Sequence, residues 1–250
     1  MGGYLLMWLE APLQSWGCSS RFGRRETLGF PTKSGVLGML LCAMGRGGEQ
    51  RDLLCQLSSL QLSVAAFPRK TGSGRTEKLA ALCDFHMVGS GYDDSDPWQN
   101  LMIPKKSDGS KPVGSGTKMT YRYYLQDMAF AAALELPEDK ALSGELERSL
   151  QAPVWAICLG RKSCVPVERV YQGTYGSLEQ AFKVAGVLAE EKGRICSFVV
   201  NDGFDDRCDD AMTLNDVPVR FGTVKEYAER RVSIFTKETY EEVFPESNQG

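Results

Sequence analysis

Two β-like arms, Leu79 to Val88 and Thr117 to Gln126, flank a long stretch of Gly, Ser, Asp, Lys and Pro. A connection of roughly thirty residues without apolar periodicity is uncommon inside a compact domain and marks a functional or solvent-borne insertion. The arms therefore read as a projecting β-hairpin, and the core must come from the segments on either side. Those segments have an order. Tyr4 to Glu10 reads as a buried strand ended by the Ala11-Pro12 step, with Tyr4, Leu6 and Trp8 on one face as core residues. Thr32 caps a helix from Lys33 to Met44, whose apolar stripe Val36, Leu37, Leu40, Leu41, Met44 ends at Gly45. Gly35 and Gly38 lower its helix propensity and so predict a close neighbour. A short amphipathic stretch at Gln50 to Leu57 and a strand at Gln61 to Phe67 follow. Beyond the arms come a strand (Ala129 to Leu136), a helix (Glu138 to Leu150) and a strand (Val154 to Leu159). With the arms set aside, the order is β-α-β-β-α-β, the ferredoxin-like arrangement of RNA-recognition folds.

The expected architecture is thus α+β. A ferredoxin-like domain spans residues 1–160, with the hairpin inserted at about 79–126. A small α+β extension at 161–250 packs on the same core. It holds a helix with Leu178, Ala181, Phe182, Ala185, Leu188 and Ala189 on one face and a strand at Ile195 to Val200. An acidic loop (Asp202 to Asp210) and a basic-aromatic segment (Arg220 to Phe235) complete it.

Composition narrows the function classes. No apolar run reaches the roughly 18 residues needed to span a bilayer. Met1 to Trp8 lacks the basic start and small-residue cleavage site of a signal peptide, so a cytoplasmic setting without membrane contact is expected. The eight cysteines include no C-x-x-C pair, and there is a single histidine, His86. Structural zinc sites draw on close ligand pairs, so reduced thiols with neither metal nor cofactor are expected. The net charge is −3, but residues 1–122 carry 15 Lys+Arg against 10 Asp+Glu, and residues 123–250 carry 14 against 22. Such a split suits one face toward a polyanion and another toward a different partner.

The candidate polyanion site lies around the first helix. Gly29-Phe30-Pro31-Thr32-Lys33-Ser34-Gly35 resembles a phosphate-binding loop but has Thr32 where that signature needs a glycine before the lysine. Its physical elements remain: free N–H groups at a helix start, the Lys33 ammonium, and the Thr32 and Ser34 hydroxyls all favour an anion. The loop before it carries Arg21, Arg24 and Arg25 with Gln14, Trp16 and Phe22. Arginines among aromatics suit phosphates and unpaired bases. A second basic turn, Leu159-Gly160-Arg161-Lys162-Ser163-Cys164, can lie near this loop in the same topology. For catalysis the inventory is thin. One histidine excludes a two-histidine ribonuclease mechanism, and a lone general base at His86, with Tyr121 and Lys118 in the same region, is the alternative to binding alone.

Taken together, Tyr4-Leu5, Pro12, Gln14, Trp16-Gly17 and Phe30 to Gly35 resemble the CasD family of type I-E CRISPR Cascade. So do Asp84-Phe85-His86, Tyr121-Arg122 with Tyr124-Leu125, and Leu159 to Cys164. The tail pattern of Arg220, Tyr227 and Arg230-Arg231-Val232 extends the likeness. The resemblance implies an RNA-recognition-type fold with a β-hairpin thumb. It also implies binding of the 5′ handle of the guide RNA through Gln14, Trp16, Arg21, Arg24, Arg25, Thr32, Lys33, Ser34, His86, Tyr121, Arg122, Arg161, Lys162 and Ser163. Implied partners are the Cascade backbone subunits, the large PAM-reading subunit and, through the complex, target DNA. No catalytic residue, metal or cofactor is expected, and a metal-independent endoribonuclease acting on precursor guide RNA is the alternative.

Overall fold

The apolar run at the N-terminus is continuous rather than alternating because it forms a strand covered on both faces. In the computed structural model, which describes residues 3–17, 23–73, 75–77, 79–88, 95–98, 108–110 and 118–243, strand β1 (Tyr4–Gln14) lies inside a nine-stranded sheet. It pairs antiparallel with β5 (Lys118–Glu135) on one side and with β6 (Tyr171–Tyr175) on the other. Beyond β5 follow β3 (Leu62–Phe67), β7 (Phe198–Asp202), β9 (Glu226–Thr236) and β8 (Asp210–Arg220), giving the order β6-β1-β5-β3-β7-β9-β8. Two further strands, β2 (Arg24–Arg25) and β4 (Leu82–Val88), pair with the first half of β5, outside the main path.

Helices cover both faces. Helices α1 (Lys33–Ala43), α2 (Arg51–Ser58) and α3 (Lys140–Gln151) pack on the face that carries Leu5, Met7 and Leu9. The opposite face, with Leu6 and Trp8, lies under α4 (Leu178–Glu191), and Tyr240 of α5 (Lys237–Val243) packs at its margin. Ala129, Ala131 and Ala133 of β5 share that cluster with Ala181, Ala185 and Ala189 of α4, so small side chains on both partners let the helix lie close to the sheet. Thr32 caps α1 by accepting from the Gly35 N–H at 3.1 Å. Gly45 (φ 68°) ends it, its N–H donating to Cys42 O and the Arg46 N–H to Leu41 O. The close neighbours predicted at Gly35 and Gly38 are present. A Cβ on Gly35 would come within 2.7 Å of the Trp16 ring, and Phe221 lies 3.7 Å from the corresponding point on Gly38.

Three expectations need correction. The second arm and the strand after it are one strand, β5, 18 residues long. The apparent break is Asp127, which takes a left-handed conformation (φ 47°) opposite Pro12, where the β1–β5 register skips a rung. The same joint explains why β1 runs past Pro12 to Gln14. It lies beyond the last rung to β6, at Met7, where a residue without an N–H removes no ladder bond on that side. Second, residues 154–159 form no strand. Val154 donates to Ala43 O at 2.8 Å and fills the space beside Gly45, so this apolar run caps the end of α1 instead. The strand next to β1 is β6, past the expected boundary at 160. It meets β1 only at Tyr4, Leu5 and Met7 and has one open edge, so it lacks an apolar run. Third, most of the basic-aromatic segment is β9, which pairs with β8 in a hairpin that extends the sheet, while the acidic segment is the loop expected there, between β7 and β8. Among the described residues, no helix is long and apolar enough to cross a membrane.

Candidate nucleic-acid interface

Gly160 sets the position of the basic turn. It has φ 95°, and a Cβ there would lie 1.7 Å from Ser15 O, so only glycine allows the turn to press on the end of β1. Ser15 N donates to Leu159 O at 3.2 Å, Leu159 N to Cys164 O at 2.7 Å and Cys164 N to Arg161 O at 2.8 Å. This clamp places the Arg161 guanidinium 4.4 Å over the Tyr124 ring, with Nη2 donating to Arg25 O at 2.8 Å. Its Nη1 is buried and has no hydrogen-bond partner among the described residues. In the β2–β5 pairing Arg25 lies beside Arg122, whose Nε donates to Thr120 Oγ1 at 3.2 Å. Three arginines distant in sequence thus converge on one side of the β5 stem.

The other face of this stem is aromatic. Directly paired residues share a face and successive residues alternate, so Cys83, Phe85, Met87, Met119, Tyr121 and Tyr123 lie together. The rings of Phe85 and Tyr121 pack at 5.2 Å, both about half exposed. Arg24 lies 5.3 Å over Tyr123, donates to its hydroxyl at 3.0 Å and approaches Glu26 at 3.5 Å. His86, paired with Thr120, falls on the opposite face from Tyr121; its Nδ1 is 3.8 Å from Asp84 Oδ2. His86 and Tyr121 of the alternative catalytic set therefore lie on opposite faces.

Beside the clamp lies a groove of about 500 Å³ between α1, the 156–162 segment and the tip of the β8–β9 hairpin. Ser34, Gly38 and Cys42 of α1 line it, as do Cys158, Gly160 and Lys162 opposite and Phe221, Lys225 and Tyr227 from the hairpin. Lys162 and Ser163 are exposed, in keeping with their expected role. Lys225 and Phe221 stand in the segment read as basic-aromatic but were not singled out. Only the hairpin pairing brings them to the groove.

Four expected RNA contacts are turned inward. Gln14 is fully buried, donating to Leu9 O and Met128 O and accepting from Trp16 Nε1 at 3.1 Å; Trp16 is itself core. The Thr32 hydroxyl serves as the α1 cap. Lys33 differs most from expectation. Its side chain is 5% exposed, and Nζ donates to Asp202 Oδ2 at 2.8 Å and Leu60 O at 2.7 Å. The helix start does hold an anion, but it is the chain's own. Asp216 Oδ2 accepts from Lys33 N at 2.8 Å, and Asp216 is in turn held by Arg230, which also pairs with Asp202. This buried Lys33–Asp202–Arg230–Asp216 network ties α1 to β7, β8 and β9. Ser34 keeps one side toward the groove. Arg21 and most of the 89–116 segment lie outside the described residues.

A sequence profile described as "CRISPR-associated protein (Cas_Cas5)" matches residues 4–233. The chain belongs to the Cas5 family. Within this Cas5 family, the CRISPR system Cascade subunit CasD of Escherichia coli (strain K12) is 32% identical over 178 residues, covering 70% of this chain and 72% of the relative. Among solved structures, a chain of a "CRISPR RNA-guided surveillance complex" aligns with TM-score 0.65 and 26% identity over 93% of this chain and 89% of its own. A second, described as "Crystal structure of Cas protein", gives TM-score 0.58 and 25% identity over 94% and 96%. The Cas5 match spans the clamp, the groove and the buried network alike.

Proposed function

We propose that this Cas5 protein is a Cascade subunit that caps the 5′ handle of the guide RNA and does not cut it. The observation that carries the reading is the unpartnered Arg161 Nη1, buried against Tyr124 beside Arg25 and Arg122. A buried guanidinium N–H without an acceptor is costly, and a phosphate oxygen at the mouth of the turn would satisfy it once the Arg161 side chain swings outward. The exposed lysines Lys162 and Lys225 extend the same charge into the groove, and Tyr227 and Phe221 offer ring faces for unpaired bases. In this reading the contacts are Arg21, Arg24, Arg25, Ser34, His86, Tyr121, Arg122, Arg161, Lys162, Ser163, Lys225 and Tyr227, with Gln14, Trp16, Thr32 and Lys33 acting as the frame beneath them. The separation of His86 from Tyr121 supports binding over endoribonuclease chemistry.

The order β6-β1-β5-β3, with helices between β1 and β3 and between β5 and β6, supports the ferredoxin-like reading. The β4–β5 hairpin is then its thumb. In this reading the thumb reaches the neighbouring backbone subunit, another surface meets the large PAM-reading subunit, and the work is cytoplasmic. The test is fluorescence anisotropy with handle RNA across a salt series. Arg161→Ala should lower affinity and flatten the log–log salt slope by about 0.7, the value for one single-strand phosphate contact. Unchanged affinity and slope would remove Arg161 from the interface. Specific cleavage of repeat RNA, abolished in His86→Ala, would replace capping with catalysis.

A further inference from the structure

Two thiols stand on opposite walls of the groove. Cys42 comes from the last turn of α1 and Cys158 from the irregular segment leading into the basic turn, and both line the cavity. Both approach one carbonyl, although Cys158 lies nearer Lys162 O, at 3.6 Å, and Cys42 also reaches Trp155 O, at 3.9 Å. Cys42 Sγ lies 3.5 Å from Ala156 O and Cys158 Sγ 4.0 Å from the same atom. The two sulfurs are therefore no farther apart than the sum of those distances. Each is only partly buried and unpaired as a free cysteine, so a small solute entering the groove can reach both. The segment between Trp155 and Cys158 belongs to no helix or strand, so drawing Cys158 toward Cys42 to the sulfur–sulfur bond length of about 2.05 Å breaks no helix or ladder hydrogen bond in it. Cys164, also in the turn, is 1% exposed and out of reach of solvent.

We propose that Cys42 and Cys158 are a peroxide-responsive dithiol that closes to a disulfide across the groove, fastening α1 to the basic turn. The Cys158 sulfur attacks one oxygen of hydrogen peroxide, breaking the O–O bond, releasing water and leaving a sulfenic acid. The Cys42 thiol then gives up its proton and attacks that sulfur, and the hydroxyl leaves as a second water. Two thiols are oxidised by two electrons and one peroxide is reduced. The order of attack follows from the surroundings: burial, reinforced by the neighbouring Cys158, pushes the Cys42 thiol above its ordinary pKa, so it suits the second step. In a reducing compartment both thiols stay free and the groove stays open. Oxidation draws Lys162 and its turn toward α1 and narrows the space between them. The effect on RNA rests on the proposed function; formation of the bond does not.

The test uses the full chain. Reduced protein is treated with hydrogen peroxide, remaining thiols are alkylated, and a non-reducing digest is read by mass spectrometry. The expected result is a Cys42–Cys158 peptide pair that is absent in Cys42→Ser and in Cys158→Ser and is removed by dithiothreitol. Recovery of both cysteines alkylated, or of Cys158 joined to Cys164, would overturn the proposal. Handle-RNA affinity is then measured before and after oxidation. Wild type should lose about tenfold, equivalent to roughly two phosphate contacts at ~0.15 M salt, while Cys42→Ser should be unaffected. Unchanged affinity despite a complete disulfide would overturn closure of the groove. If reduced protein binds no handle RNA, the capping function fails and the digest still decides the disulfide.

Discussion

Replacing Lys33 with Met removes the ammonium and keeps most of the stem. Nζ is held at 2.8 Å by Asp202 and at 2.7 Å by Leu60 O, in a pair whose side chains are 5% and 7% exposed. Breaking a buried ion pair by removing one partner costs about 3–5 kcal/mol. Here Asp202 keeps Arg230 and the Leu62 N–H, so the low end applies, about 3 kcal/mol with the stranded Leu60 carbonyl included. In a chain of 250 residues this lowers Tm by about 6–12 °C. Urea and thermal unfolding followed by circular dichroism measure it. A double-mutant cycle with Asp202→Asn should return a coupling above about 1 kcal/mol. Handle-RNA affinity, measured where both proteins are fully folded, should change little. Stability within about 0.5 kcal/mol of wild type, together with weaker RNA binding and a flatter salt slope, would refute this reasoning and return Lys33 to the RNA surface.

Gly160→Ala should cost about 2–4 kcal/mol and weaken RNA binding, because the turn must leave Ser15 to make room; denaturation alongside anisotropy checks both. If this variant folds as stably as wild type, the clamp is not what positions Arg161. Acid should destabilise the protein. Burial would raise the carboxyls of Glu10 and Asp127, but hydrogen bonds and charges outweigh it and hold both below the usual range: Trp8, Arg194 and Lys192 for Glu10, Arg69 and Arg194 for Asp127. Their contribution is complete above the unfolded values near 4 and is lost as pH falls through the lower folded ones, so Tm should drop from about pH 4 downward; a flat profile there would count against it. Phe85→Ser with Tyr121→Ser should leave stability within about 1 kcal/mol, since both rings are half exposed, yet reduce co-purification of the backbone subunit. Full assembly with that double variant would contradict the thumb assignment.

Periodicity carried the fold because the core segments obey it. The α1 stripe, the Thr32 cap and the alanine face of α4 are local patterns, and each element formed within a few residues of its expected span. The fourth strand failed for the opposite reason. Apolar content pointed to 154–159, whereas the pairing partner of β1 is a half-exposed edge strand with little local signal. The site was legible by charge but not by direction. A lysine at a helix start reads as an anion ligand, and only a contact 169 residues away shows that its anion is Asp202. Lys225 entered the groove through a hairpin whose register no local pattern announces.

The most direct measurement is photo-crosslinking of the assembled complex, with 4-thiouridine placed at successive positions of the guide RNA handle and the linked peptides mapped by mass spectrometry. The expected crosslinks fall on the segments around Arg24–Arg25, Gly160–Ser163 and Lys225–Tyr227, which the fold gathers about one groove. Crosslinks confined to α4 and α5 on the opposite face of the sheet, with none at these three segments, would contradict handle binding at this site.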